Sequence, residues 1–103
     1  MKNKSMGAPK IGTRANESVR LREACLNAVE GEASLIFVEG HDDAILGVAE
    51  RDGESFVVYN QAKVIRTLCR RDGMDRQGAI EFFEYNIAGT WMGERTPIFL
   101  TKV

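Results

Sequence analysis

Apolar residues recur at helical spacing in three segments of the chain. The first segment spans about residues 17–30, follows the capping residue Asn16 and ends at Gly31. Its apolar positions have the spacing i, i+3, i+4, i+7 and i+8, and they are Leu21, Ala24, Cys25, Ala28 and Val29. Similar stripes cover about residues 61–71, after Asn60, and about residues 76–87, after Asp75. The pattern predicts three amphipathic helices.

Shorter apolar runs between these segments are typical of strands. They cover residues 34–38, 44–50, 55–59 and 98–101. Asp52-Gly53 between the second and third runs is typical of a tight hairpin turn, because glycine accepts a positive φ. Pro97 opens the last run and donates no backbone hydrogen bond, so we expect that strand at a sheet edge.

The order of these elements, α-β-β-β-α-α-β, predicts an α+β fold with one small core. We expect a mostly antiparallel sheet of about four strands covered by two to three helices. Residues 15–103 then form a single domain. Residues 1–14 carry basic side chains and no acidic ones, and we expect them to form a flexible basic arm. This arm is either a plain flexible terminus or a segment that settles on an acidic partner.

The charge balance excludes some classes of partner. Fourteen Lys and Arg face fifteen Asp and Glu, for a net charge of −1, which argues against a nucleic-acid or membrane-surface binder. Arg66, Arg70 and Arg71 could form a basic stripe, but Asp72 and Asp75 interrupt it, and a solvated helix face is the favoured interpretation. No apolar run approaches the roughly 20 residues of a membrane span, and no signal peptide is visible. We therefore expect a cytoplasmic protein with no membrane partner.

Two cysteines, Cys25 and Cys69, each lie among apolar residues at helical spacing. We interpret both as core thiols, because neither has the CxxC spacing or helix N-terminal position of a reactive thiol. No cofactor is expected.

Residues 39–43 place three carboxylates and the only histidine within five positions. If the segment were a strand, Glu39, His41 and Asp43 would share one face and could hold a divalent metal. His41 with Asp42 and Asp43 could also act in acid–base catalysis. No known ligand spacing is present, however, and a solvated acidic turn is the favoured alternative.

Residues 86–97 form the second candidate site. Their glycines permit close backbone approach, and Trp91 is a typical anchor of a binding surface. The candidate contact residues are Trp91, Glu94, Arg95, Asn86 and, from a strand end, Tyr59. The competing interpretation is that Trp91 covers Phe82 and Phe83 as part of the core, and that Tyr59 is also a core residue.

Residues 35–100 include FVEGHDDAILGVAERDG, VVYNQAKVIRTL and RDGMDRQGAIEFFEYNIAGTWMGERTPIFL, and they resemble a group of small uncharacterised proteins of bacteriophage and bacterial genomes. The shared positions are Gly40, Asp43, Ala44, Gly47, Tyr59, Leu68, Gly73, Met74, Ala79, Phe82, Asn86, Gly89, Gly93, Glu94, Thr96 and Pro97. His41 departs from the apolar or aromatic residue expected at its position. The group has no established activity, so the resemblance implies a phage setting and no catalytic residues.

These observations favour a non-enzymatic module that binds another protein, with host machinery as the target in a phage setting. Monomer and homodimer remain equally open. Two alternatives are retained from other classes of function: a metal-assisted or acid–base enzyme centred on His41, Asp42 and Asp43, and a small-molecule binding protein.

Overall fold

A computed structural model of the chain describes residues 9–29, 35–90 and 92–103, with side chains from Val19 onward. It confirms the α+β class. The elements are helix α1 (Pro9–Ala28), a 3-10 turn (Asp42–Ala44), strands β1 (Ile45–Arg51) and β2 (Glu54–Asn60), helices α2 (Gln61–Asp72) and α3 (Arg76–Phe82), a π-helix continuing α3 (Phe83–Ala88), and strand β3 (Ile98–Leu100).

The β1–β2 hairpin forms where the sequence predicts it. Asp52 has φ 53° and Gly53 has φ 80°, so both central residues of the turn are left-handed, as a type I′ turn requires. This turn matches the twist of the two strands and sets their pairing, from Arg51 opposite Glu54 to Ile45 opposite Tyr59. A bulge interrupts the ladder between Ile45 and Gly47.

The sheet has fewer strands than expected. Its order is β1-β2-β3, with β1 antiparallel and β3 parallel to β2, so the prediction of about four mostly antiparallel strands is wrong in detail. Residues 35–38 form no strand. Their apolar side chains still contribute to the core, which contains Val38 and is flanked by Leu35 and Phe37. The parallel pairing arises because α2 and α3 form a crossover that returns β3 to the free side of β2.

Helix α2 begins and ends, and helix α3 begins, at the residues that the sequence indicates, whereas the last part of the predicted third helix is the π-helix Phe83–Ala88. The Asn60 side chain accepts a hydrogen bond from the backbone N–H of Lys63 at 3.2 Å, and the Asp75 side chain accepts one from Gly78 at 2.7 Å. Gly73, with φ 72°, ends α2 in the left-handed conformation.

Helix α1 begins earlier than predicted. It starts at Pro9 rather than near residue 17, so residues 9–14 of the expected arm have helical backbone. Proline suits this position, because the first helical residue needs no intrahelical N–H partner. Residues 1–8 lie outside the described part of the chain, and the flexibility of the arm stays a prediction.

The core lies on one face of the sheet. Along β2 the buried residues alternate, so that Ser55, Val57 and Tyr59 face inward. Apolar residues of the helices pack with this face, among them Cys25, Val64, Leu68, Ala79, Phe83 and Ile87. The opposite face therefore presents the other set of β2 residues.

At the end of the π-helix, the backbone of Gly89 lies close to the backbone carbonyl of Glu84. A Cβ on Gly89 would lie 2.6 Å from the backbone carbonyl oxygen of Glu84. No side chain can occupy that space unless the wide turn shifts, so the π-helix requires glycine at this position.

We therefore expect Gly89→Ala to destabilise the protein by about 1–3 kcal/mol, the usual cost of an enforced clash. Urea unfolding followed by circular dichroism measures the change. The neighbouring exposed residue provides the control, since Ala88→Ser should change the free energy of unfolding by less than about 0.5 kcal/mol. Equal stabilities of Gly89→Ala and the unmodified protein would contradict the proposed constraint.

Candidate functional site

Tyr59 is a core residue and not a surface contact. Its side chain is 0% exposed, and its hydroxyl accepts a hydrogen bond from the backbone N–H of Val38 at 2.7 Å. Its ring stacks on Phe99 at 5.6 Å between centroids, and Phe99 meets Phe83 edge-on at 5.0 Å. Burial raises the pKa of Tyr59 to about 12. The prediction that Tyr59 extends a binding surface is therefore wrong.

Residues 39–43 do not form the metal site that the sequence leaves open as an alternative to a solvated turn. Residues 39–40 form a turn and Asp42–Ala44 a 3-10 turn, so the strand-like alternation is absent. The Glu39 side chain is 88% exposed, whereas His41 is 3% exposed, so the two side chains are in opposite environments. Across residues 9–29, 35–90 and 92–103, no group of three His, Cys, Asp or Glu side chains could hold a metal ion. The candidate metal ligands Glu39, His41 and Asp43 therefore do not share one face of a strand.

His41 is instead a buried residue beneath this turn. Its Nδ1 atom is buried and has no hydrogen-bond partner in the part of the chain that the structure describes. Burial lowers the pKa of His41, the positive charge of Arg71 lowers it further, and the carboxylates of Asp43, Asp72 and Asp42 act in the opposite direction. A buried imidazole cannot reach a substrate, so this conformation does not support the acid–base alternative.

Arg22 of α1 contacts residues 39–43 from the side of the first helix. Its guanidinium forms an ion pair with Asp42 at 2.8 Å and a longer one with Glu39 at 3.6 Å. The guanidinium carbon also lies 4.3 Å from the centre of the Phe37 ring, in a cation–π contact. The predicted acidic turn is therefore partly neutralised. Sequence reasoning missed Arg22, because it lies 20 positions from Asp42.

Arg71 of α2 holds the segment from the other side. Its Nη1 donates a hydrogen bond to the backbone carbonyl of Gly40 at 2.7 Å, and its Nε donates to Asp72 at 3.1 Å. This ion pair lowers the pKa of Asp72. The sequence indicates a solvated helix face here, but Arg71 connects the helix to a turn 31 positions away.

The other candidate contact residues differ in exposure and in their partners. Asn86 is exposed at the end of the π-helix, where its backbone carbonyl accepts a hydrogen bond from Thr90 Oγ1 at 3.0 Å. Glu94 is exposed, and Arg95 pairs with Glu54 at the start of β2. Trp91 lies outside the described residues, so its role as an anchor stays a prediction.

The two cysteines are free thiols, as expected. Cys25 is buried in the core, and burial raises the pKa of its thiol, which makes it a poor nucleophile. Cys69 is half-buried and packs against the core, which partly matches the prediction of two core thiols.

The outer face of the sheet, defined as the side away from the helices, is apolar. Phe56 and Val58 of β2 lie there, Ala49 is paired with Phe56, and Ile98 is paired with Val58. On β3, Ile98 is 40% exposed and Leu100 is 43% exposed. Leu46, at the bulge of β1, is a further exposed apolar residue. The sequence analysis missed this surface, because alternation within a strand does not tell which face is covered.

The described helices include none that is both long and apolar enough to cross a membrane. Comparison of the chain with protein-family models, with curated proteins and with solved structures finds no match.

Tyr59→Phe should destabilise the protein by about 1–3 kcal/mol, because it leaves the buried N–H of Val38 without an acceptor. The matched control is Tyr85→Phe, which removes the hydroxyl of a tyrosine that is 79% exposed and should change stability by less than about 0.5 kcal/mol. Urea unfolding of the two variants side by side is the measurement. If Tyr59→Phe were as stable as Tyr85→Phe, the hydrogen bond between the Val38 N–H and the Tyr59 hydroxyl would not contribute to stability.

Proposed function

We propose that this protein is a small interaction module, not an enzyme, and that it binds another protein through the outer face of its sheet. The observation that supports this is the apolar character of that face, where Ile98 and Leu100 are exposed beside Phe56 and Val58. A contiguous exposed apolar patch typically marks a binding surface, whereas single exposed apolar residues need no explanation.

The dimensions of the face favour one kind of partner. Strand β2 has 7 residues, so the face is about 23 Å long and, across three strands, about 14 Å wide. Its area is therefore about 300 Å², well below the roughly 800 Å² that each partner buries in a stable interface between two proteins. An interface confined to this face is therefore of the small, transient kind, whichever protein docks on it.

The shape of the face matches an amphipathic helix of another protein. A helix of about 15 residues is about 23 Å long and about 10 Å across, which matches the length of the strands and most of their width. Docking such a helix would add a layer on the side of the sheet that faces away from the described helix core, as in folds with helices on both sheet faces. We therefore take the occupant to be an apolar helix face of a partner protein.

The rim of the face supplies polar contacts at the hairpin end. Arg51 lies opposite Glu54 in the ladder, and Arg95 forms an ion pair with the same Glu54. Polar rims around an apolar centre are typical of protein interfaces. Arg95, a candidate contact residue of the sequence analysis, would then be one of the polar residues of this rim. In the phage setting that the resemblance implies, the bound helix would belong to host machinery.

The test replaces the exposed apolar residues of the edge strand β3 on this face. The variant carries both Ile98→Lys and Leu100→Lys, and the control carries Val19→Lys and Leu26→Lys at similarly exposed apolar positions of α1. A photo-reactive residue at position 56 captures the partner, mass spectrometry identifies the linked segment, and the corresponding synthetic peptide is titrated against each protein. We expect an amphipathic helical peptide whose affinity falls at least about tenfold, or 1.4 kcal/mol, in the β3 variant and stays unchanged in the α1 control.

Two results would overturn this assignment. The first is a cross-linked peptide that binds the β3 variant as tightly as the unmodified protein. The second is cross-linking only between copies of this chain, together with a dimeric mass in sedimentation equilibrium, since self-association would then occupy the face.

A further inference from the structure

His41 is buried at the C-terminal end of a segment that is also held by hydrogen bonds and by the apolar packing of Val38. The segment, residues 35–41, is attached through the Val38 N–H to Tyr59 and through the Gly40 carbonyl to Arg71. Next to it, the backbone N–H of Ala44 donates to the His41 carbonyl at 2.9 Å and begins the 3-10 turn. The imidazole itself is 3% exposed, and its Nδ1 has no hydrogen-bond partner among the described residues. The His41 side chain is therefore a buried polar group within the packed core.

The charged groups around the imidazole come from two elements. Helix α2 contributes Arg71 and Asp72, which are hydrogen-bonded to each other, and the 3-10 turn contributes Asp42 and Asp43. The charge of Asp42 is offset by Arg22 of α1 through their ion pair. Two of the three carboxylates thus already have cationic partners. A proton on His41 would add a buried positive charge beside Arg71 with no hydrogen-bond acceptor in place at Nδ1.

We propose that His41 acts as a proton-sensitive latch, which holds residues 35–41 on the core while the imidazole is neutral and releases them when it is protonated. Release would expose the Tyr59 hydroxyl and the apolar side chains of Phe37 and Val38, while the β1–β2 hairpin and α2 stay folded. This inference does not depend on the outer face of the sheet.

The direction of the pH dependence follows from the shift of the His41 pKa below its ordinary value of 6.5. Above pH 6.5 the imidazole is neutral whether the segment is closed or open, so the closed form is fully favoured. Below pH 6.5, the imidazole of the open form takes up a proton before the imidazole of the closed form does. The free energy that favours the closed form therefore decreases with falling pH until the lowered pKa of the closed form is reached.

Hydrogen exchange of individual amides, corrected for the intrinsic rate at each pH, tests the latch. Between pH 7.5 and pH 5.5 the opening constant of the Val38 and Ala44 amides should rise, by at most about tenfold, because the open form binds a proton with a pKa near its ordinary value and the closed form binds it less readily. The amide of Val57, in the middle of β2, should keep its protection over the same range.

His41→Leu provides the matched variant, because leucine can occupy the buried position and does not titrate. We expect its Val38 and Ala44 amides to show no change in opening between the two pH values. If His41→Leu fails to fold, His41→Phe serves the same purpose. The pKa of His41 can also be measured directly in the unmodified protein by an NMR pH titration. His41 is the only histidine, so its imidazole proton resonances do not overlap with those of another histidine.

Each of four outcomes would overturn the latch. The first is an opening constant that is independent of pH, and the second is an equal loss of protection at Val57, which would mean global unfolding. The third is pH-dependent opening that persists in His41→Leu. The fourth is an imidazole that titrates at or above pH 6.5 in the folded protein.

Discussion

The hydrogen bond from the Val38 N–H to the Tyr59 hydroxyl is the contact on which the arrangement of the other elements depends. Tyr59 lies on the central strand and stacks on Phe99 of β3, so one residue joins β2, β3 and the segment before the 3-10 turn. A buried hydroxyl and a buried N–H are each costly unless they are paired, and here each satisfies the other. The same constraint sets the register of β2, because a shift of one residue would turn Tyr59 to the outer face.

Around this contact, the segment at residues 35–44 is held by charged residues from two helices. Arg22 binds the acidic side chains of the turn, and Arg71 binds the backbone of Gly40. Along the sequence, these charges look like parts of a solvated turn and of a solvated helix face. In the structure they form contacts that link α1 and α2 through residues 35–44. Partly exposed ion pairs contribute little stability individually, so the packing of Val38 and His41 beneath them carries much of the attachment.

The two faces of the sheet have different roles because successive residues of a strand point in opposite directions. The inner residues Val57 and Tyr59 belong to the core, while the outer residues Phe56 and Val58 are left beside the exposed side chains of β3. A sheet that is apolar on both sides is typical of folds with helices on both faces, yet the helix residues of the described core lie on one side. This asymmetry is the basis of the function proposed above.

The sequence alone determined the features that depend on interactions between residues close together in the chain. The Asp52-Gly53 turn and the caps at Asn60 and Asp75 rest on interactions within about four residues, so their sequence signatures predict them without knowledge of the fold. The α+β class likewise follows from the order of the apolar patterns.

Only the tertiary structure decided the parallel pairing of β3 and the absence of a strand at residues 35–38. It also decided the partners of Asp42, Val38 and Gly40, which lie 20, 21 and 31 positions away along the chain. An apolar run shows that a segment will be buried, but its hydrogen-bond partners depend on which distant segments pack beside it. For the same reason, the candidate ligands Glu39 and His41 lie in opposite environments, because their directions are set by the turn that Arg22 and Arg71 hold in place.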